Sequence, residues 1–345
     1  NICALGPGES LFWHKGKMQV KRYWSALQAE SEHDRDADTL AEELDELLNN
    51  AVKSHLVADV EVGAFLSGGV DSSLVAAIAA RHMPDRLHTY TIGFSGGGDE
   101  REYARTVASH INSIHHEKLA EPDIASQLPR FIWHLEQPLF DNSILPTFLV
   151  SALAREHGKV VVSGDGGDEP FAGYGWTRAA ASLPGLNLPF DARGWKWLYR
   201  TGPIGLIQRG LYDVTHDGVS RYLRRTTTRK AYRQWLYTKD FAGQISSDPA
   251  DRIFNALQNY PVKDQGERFA LADITSYLHE DVLFKVDRMS MATSLEVRVP
   301  LLDHHLIEWA YRLPWHLRCR GSRGKILLRE VAHRYLPPVI LKPRK

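Results

Sequence analysis

The chain has 345 residues, enough for one large α/β domain with an insertion or for two domains of ordinary size. Hydrophobic residues make up 43% and charged residues 24%, which excludes a disordered, collagen-like or coiled-coil chain. Lys plus Arg and Asp plus Glu are both 42, so no net charge draws the molecule to nucleic acid or to an anionic membrane.

Residues 1–25 read as short strands around Gly6-Pro7-Gly8, with a hairpin turn at His14 to Lys17. The opening carries no initiator Met and no signal-peptide layout, and is read as the tail of a preceding domain in a longer protein. An acidic stretch then leads into a helix over 37–57, where Leu40, Leu44, Leu47, Leu48 and Val52 recur at helical spacing. A strand ending in a glycine turn follows (VEVGAFLSGG), then a small-residue helix (SSLVAAIAARH) and a second strand (LHTYTIGF). Further elements are a helix over 100–111, a strand over 114–119, helices over 123–135 and 144–157, and the strand KVVVSGDGG. Strands alternating with helices predict a parallel sheet covered on both faces. Residues 184–262 are rich in Arg, Trp and Tyr and read as a helical insertion or cap. Residues 265–345 read as mainly helical, broken at Pro300, Pro314 and Pro337-Pro338.

Two cysteines, Cys3 and Cys319, are too few for a disulfide framework or a thiolate metal cluster, so a reducing cytoplasm is the expected compartment. No apolar run reaches the ~18–20 residues that span a bilayer. His115-His116, His279 and His304-His305 do not have metal-ligand spacing and read as solvated or capping residues. The basic run from Arg224-Arg225 to Arg233, with Tyr222 and Tyr232, reads as a solvated helix face rather than a nucleic-acid contact.

The chemistry concentrates in two glycine turns. In the first, Ser67, Gly68, Gly69, Val70, Asp71, Ser72 and Ser73 join an apolar strand to a helix. The glycines admit close backbone approach, the helix start offers free N–H groups, and the serines add hydroxyls. That is a cradle for phosphate or pyrophosphate. Asp71 would repel a bare phosphate, which calls for Mg²⁺ between them. No GxxxxGK[ST] occurs, so this is not the common γ-phosphate loop. The second turn runs Ser163-Gly164-Asp165-Gly166-Gly167-Asp168-Glu169, again after an apolar strand. In a parallel sheet both turns open at the carboxyl ends of strands, where ligands bind, and Asp71 and Asp168 are placed to share one Mg²⁺.

SGGVDSS resembles the pyrophosphate loop of the ATP pyrophosphatase superfamily, and SGDGGDEPFAGY resembles the second signature of the B-type asparagine synthetases. Pro170 departs from that signature, which has an aliphatic residue there, and position 165 is Asp where some members have Glu. The stretch from Asp281 to Asp303 and the tail GKILLREVAHRYLPPVILKPRK extend the likeness, and LGPGESLFW with RYW resembles the family's link to an amino-terminal glutaminase domain. The resemblance implies an α/β fold of the PP-loop kind and ATP-dependent amide formation through an acyl-AMP, with ATP and Mg²⁺ as cofactors. It implies that Leu66, Ile92, Ser163 and Gly164 line the AMP part and that Ser67 to Ser73 hold pyrophosphate. Asp71 and Asp168 would bind Mg²⁺, and Asp165 would stand near the acyl-adenylate and the amine. Asp287, Arg288, Glu296 and Arg298 would shape the substrate floor, an ion-pair network being the plain alternative. Lys345, in the tail's RxK-like element, would be the catalytic lysine, with Lys325 as the competitor. The expected partners are small-molecule substrates, glutamine-derived ammonia and a glutaminase domain; a homodimer fits as well. Three alternatives stay open: ring closure on an internal amine by a β-lactam synthetase or macrocyclase, tRNA modification, and a nucleotide-binding regulator without catalysis.

Overall fold

The computed structural model describes residues 4–26, 35–94, 100–120, 124–139, 141–182, 216–226, 233, 236–245, 251, 253 and 264–342. Most of the segment read as an insertion, and Lys345, lie outside the described residues. The described parts of that segment include the helices Gly218–Thr226 and Lys239–Gln244.

The first strands, β1 (Glu9–His14) and β2 (Lys17–Arg22), pair antiparallel with His14 opposite Lys17. Lys15 and Gly16, between them, have φ of 48° and 77°. Two positive φ angles in a two-residue loop match the right-handed twist of the paired strands. Helix α1 (Ala37–His55) follows, capped by the Asp36 side chain, which accepts from the Asp38 and Thr39 N–H groups. Its buried stripe is Leu40, Ala41, Leu44, Leu48, Ala51 and Val52. Burying each leucine contributes roughly 1.5–3 kcal/mol, so this face alone fixes the helix against the rest of the molecule.

The central sheet is built from β3 (Val62–Phe65), β4 (His88–Phe94), β5 (Ile114–Ala120), β6 (Val160–Val162) and β7 (Glu296–Arg298) in the order β5-β4-β3-β6-β7. Every pairing in it is parallel. Side chains alternate between faces, as strand geometry requires. Val62, Ala64, Val160 and Val162 join the core under α1, α2 (Val70–His82) and α3 (Arg101–His110). Tyr90, Val161 and Leu295 pack on the other face with Leu153 and Ala154 of α5 (Ile144–Arg155). Helix α4 (Ile124–Leu135) adds Phe131 and Leu135 to a further cluster with Phe148 and Met289. With both faces covered, continuous apolar strands are the stable solution.

Residues 265–291 form one long rod in three parts. An α-helix (Gln265–Ala272) runs into a π-helical stretch (Asp273–Val282) and back into an α-helix (Leu283–Met291). The sequence gives no sign of the wider turn or of β7, which the helical reading of this region overlooks. The chain leaves β3 toward β4 and β5 and then returns to the opposite side of β3 to lay down β6. That reversal opens a crevice at the carboxyl ends of β3 and β6.

Candidate active site

Both glycine turns lie at that crevice, and they touch. A Cβ on Gly164 would lie 2.3 Å from the Ser72 backbone nitrogen, and one on Gly167 would lie 2.8 Å from Cγ of Asp71. Only glycine lets the second turn close onto the first. Gly68 and Gly166 hold φ of 71° and 82°, which reverses each turn sharply after its strand. Helix α2 starts at the first turn with Gly69 as its cap and no side-chain cap bond. Its first N–H groups are therefore left for a ligand. Ser67 and Ser72 share a hydroxyl contact of 2.9 Å, and the Gly69 N–H donates to Ser67 Oγ at 3.2 Å.

A cleft of about 500 Å³ stands over the turns. Its lining includes Leu66, Ser67, Gly69, Asp71, Ser72, Ile92, Ser163, Gly164, Asp165 and Asp168, ten of the residues singled out in the sequence. Gly68, Val70 and Ser73 do not line it. Gly68 packs against Tyr103 and Ala104, Val70 packs on the core, and Ser73 is fully buried. Their part is to shape the turn.

Lys325 joins Asp71 to Asp168. Its Nζ donates to Asp71 Oδ2 and lies 2.8 Å from Asp168 Oδ1. The lysine caps the helix Ile326–Ala332 with φ of 60°, and its N–H donates to the Phe171 carbonyl at 2.8 Å. Burial opposes its charge, but the two carboxylates outweigh that and hold its pKa above the usual lysine value. Burial also pushes Asp71 up, against the pull of Lys325. Asp71 Oδ1 is buried and, among the described residues, accepts no hydrogen bond. A free carboxylate oxygen beside a phosphate cradle suits a hard divalent cation. Among the described residues no group of three or more His, Cys, Asp or Glu side chains is placed to hold a metal.

Asp165 accepts from Ser163 Oγ at 2.8 Å. Burial raises its pKa, with the Ser163 bond and the charge of Lys285 working against that. Glu169 is buried, and burial with the nearby Asp168 pushes it up to about 8. Tyr174 donates to its Oε1 at 2.8 Å and presents its ring to the cleft, stacked on Trp176 of α6 (Gly175–Ser182) at 4.2 Å. Asp273, at the start of the π stretch, accepts from Thr177, Trp176 and Tyr222, and burial pushes it up to about 7. This ties α6 and the helix Gly218–Thr226 to the rod. It also puts Tyr222 in the core rather than on a nucleic-acid surface.

The four residues expected on the substrate floor do not reach the cleft lining. Asp287 is exposed, and Arg288 pairs with Glu136 at 3.1 Å and lies over the Phe284 ring. Glu296 and Arg298 belong to the edge strand β7 and pair with each other at 2.6 Å. The Arg298 guanidinium also donates to the His55 and Val57 carbonyls, at the end of α1. A charged side chain on an edge strand or an outer helix face pairs where water reaches it. Sequence reasoning missed Lys285, Asp141 and Ser143. Lys285 Nζ donates to Asp141 Oδ2 and to Ser143 Oγ, both at 2.6 Å, and Lys285 and Ser143 line the cleft. The signal for Lys285 was there: it falls on the stripe Val282, Val286 and Met289, where a helix facing a core has no use for a lysine.

A parallel sheet with two glycine turns meeting at its switch point defines an α/β nucleotide-binding class of site. The family model for asparagine synthase matches residues 43–345, and the chain belongs to that family. A putative glutamine-hydrolysing asparagine synthetase of Mycobacterium tuberculosis is 33% identical over 93% of this chain and 50% of its own length. Glutamine-hydrolysing asparagine synthetase 1 of Bacillus subtilis is 29% identical over 89% of this chain and 49% of its own. A putative second such synthetase of Methanocaldococcus jannaschii is 38% identical over 87% and 58%. The chain thus spans about half the length of the first two curated relatives.

Proposed function

We propose that the chain is the synthetase part of an ATP-dependent amide-forming ligase, converting aspartate to asparagine through an aspartyl-AMP with release of pyrophosphate. The observation that carries this reading is the contact of the two turns, which sets a phosphate cradle, Asp71, Asp165 and Asp168 around one cleft. The first turn and the start of α2 would take the pyrophosphate, while Leu66, Ile92, Ser163 and Gly164 would face the AMP part. Asp71 Oδ1 and Asp168 would hold Mg²⁺, which neutralises phosphate charge. Lys325 holds both carboxylates in place and would add its positive charge beneath the phosphates. Asp165, held by Ser163, would stand where the amine approaches the activated carbonyl. The nucleotide supplies the leaving group, so the protein's contribution is alignment and charge stabilisation.

Ammonia would come from glutamine, in keeping with the glutamine-hydrolysing names of the relatives, through a glutaminase domain that the likeness of residues 1–25 to a linker suggests. The test is pyrophosphate and AMP release from ATP and Mg²⁺ with aspartate and an ammonium salt, run against a panel of other carboxylic acids. Asp71→Asn and Asp168→Asn should each abolish release while leaving the circular dichroism spectrum unchanged. Release that persists in both variants refutes the role of the turns. Release with another acid but not with aspartate moves the substrate and keeps the chemistry.

A further inference from the structure

The cleft lining carries four acidic residues, Asp71, Glu100, Asp165 and Asp168, and among the described residues one cation, Lys285. Lys325 lies behind the carboxylates it joins and is absent from the lining. Among the described residues, Lys285 is thus the one positive side chain on the cleft surface that an anionic nucleotide and an anionic carboxylic acid would meet.

Lys285 is also held in place. Its side chain is 9% exposed. Asp141 Oδ1 accepts from the Ser143 N–H at 2.8 Å and from its hydroxyl at 2.7 Å, while Oδ2 accepts from Lys285. Burial works against a charged Asp141, but the donors from Lys285 and Ser143 hold it down to about 2. Asp141 is not part of the lining, so the ammonium stands between an anchoring carboxylate and the open cleft. An ammonium has three donors. Two are used within the described residues, by Asp141 and Ser143. Within the described residues the third makes no bond and is available to a ligand, and the lysine's rotamer entropy is already spent on its anchors.

The place of Lys285 along the cleft tells which part of a ligand it meets. Lys285 shares the cleft lining with Asp165 of the second turn, whereas Lys325 joins Asp71 and Asp168 from outside that lining. Forming an acyl-AMP brings a carboxylate oxygen onto the α-phosphate, and two anions must approach to bonding distance. The carboxylate oxygen forms the new bond to phosphorus, the bond from phosphorus to the bridging oxygen breaks, and pyrophosphate leaves with that electron pair. No proton moves in the step. Some cation must screen the approach at the acyl end.

We propose that Lys285, anchored by Asp141 and Ser143, is the binding residue for the reacting anions at the acyl end of the cleft. It donates its third N–H to an anionic oxygen of the substrate carboxylate or of the α-phosphate that joins it. This rests on the acyl-AMP reading above.

The experiment uses the 345-residue chain, with ammonium as the amine. Lys285→Met and Lys285→Arg are compared with wild type in three measurements: ATP affinity without carboxylate, KM for the carboxylate, and kcat for pyrophosphate release. A charge-assisted hydrogen bond of ordinary strength corresponds to about a 10- to 100-fold effect. In Lys285→Met, a rise of that size in carboxylate KM with ATP affinity unchanged assigns the contact to the carboxylate. A matching fall in ATP affinity assigns it to the α-phosphate. A fall in kcat alone, of the same size, places the contact at the approach of the two. Lys285→Arg keeps the charge and its pair with Asp141 but not the point geometry, and should lose roughly tenfold in the same parameter. If Lys285→Met does not fold, as judged by thermal melting, the arginine variant decides. A folded variant equal to wild type in all three measurements overturns the assignment while the function stands. A wild-type chain that binds ATP but releases no pyrophosphate with any carboxylate overturns the function, and the assignment with it.

Discussion

Replacing Lys325 by Met should unbalance the floor of the cleft in a way that pH can repair. In the wild type the ammonium serves two carboxylates, Asp71 and Asp168 at 2.8 Å. Lys325 is 8% exposed. The side chain of Asp71 is 16% exposed and that of Asp168 is 32% exposed. Removing the cation leaves Asp71 charged, buried and unpaired. Asp168 reaches water and is partly screened, so it adds little. Breaking a buried ion pair from one side costs about 3–5 kcal/mol, and Asp71 sets the scale here. Methionine has nearly the length of lysine, so lost packing contributes little. The sign of the pH dependence follows from Asp71. Its folded pKa is already raised by burial, and without Lys325 it rises further. A group raised on folding stabilises most below its unfolded pKa, and that stabilisation is lost as pH climbs through the folded value. The deficit of the variant should therefore be largest near pH 8 and shrink toward pH 5 as Asp71 takes up a proton. Urea denaturation at the two pH values measures it. A variant as stable as wild type at pH 8, or a deficit that does not change with pH, refutes this account of the lysine.

Two other outcomes follow from the same geometry. Gly164→Ala puts a methyl group 2.3 Å from the Ser72 backbone nitrogen, where no flexible side chain can yield. The turns must part, with a loss of about 1–3 kcal/mol in urea denaturation and of ATP binding by calorimetry; unchanged ATP affinity would show that the turns need not touch. Glu169, pushed up to about 8 from an ordinary 4.5, favours the fold fully below pH 4.5 and loses that as pH rises through about 8. Wild-type stability should thus fall from pH 6 to pH 9 more steeply than that of Glu169→Gln, by up to about 1.4 kcal/mol per pH unit; parallel slopes would show that Glu169 is not held protonated.

The parts of the molecule written in local pattern were legible. The leucine spacing of α1, the unbroken apolar runs of β3 and β6, and the glycines of both turns each carry their own signal. Strand β7 was not, because Glu296–Arg298 is three residues long and shows no period. Nor was the π stretch, because Asp273–Val282 has a composition that an α-helix would also accept. Asp287, Arg288, Glu296 and Arg298 stand in a family-like stretch, and resemblance says which segment matters but not which side of it faces the cleft. Lys285 depends on Asp141 and Ser143, more than 140 positions away, and no local window joins them.

The floor of the cleft shows why it had to be assembled from distant segments. Ala172 and Lys325 both hold left-handed backbone, with φ of 53° and 60°. Such conformations cost of order 1–3 kcal/mol each for residues with a Cβ, so something must hold them. They hold each other. The Lys325 N–H bonds to the Phe171 carbonyl, and Gly324 lies so near the Ala172 carbonyl oxygen that a Cβ there would come within 2.1 Å of it. The Gly173 N–H returns to the Asp168 carbonyl at 2.8 Å, and a Cβ at Gly173 would strike both Asp168 Oδ1 and the Lys325 side chain. The lysine is thus aimed at Asp71 and Asp168 by a backbone that neither segment would adopt alone. Farther along the same helical arm, Arg334 and Tyr335 bond to Glu42 and Asp45 on α1. The arm is thus held at both ends, by α1 on one side and by the turn at Phe171 to Gly173 on the other, and the carboxylates of the two turns share a cation that comes from a third, distant segment of the chain.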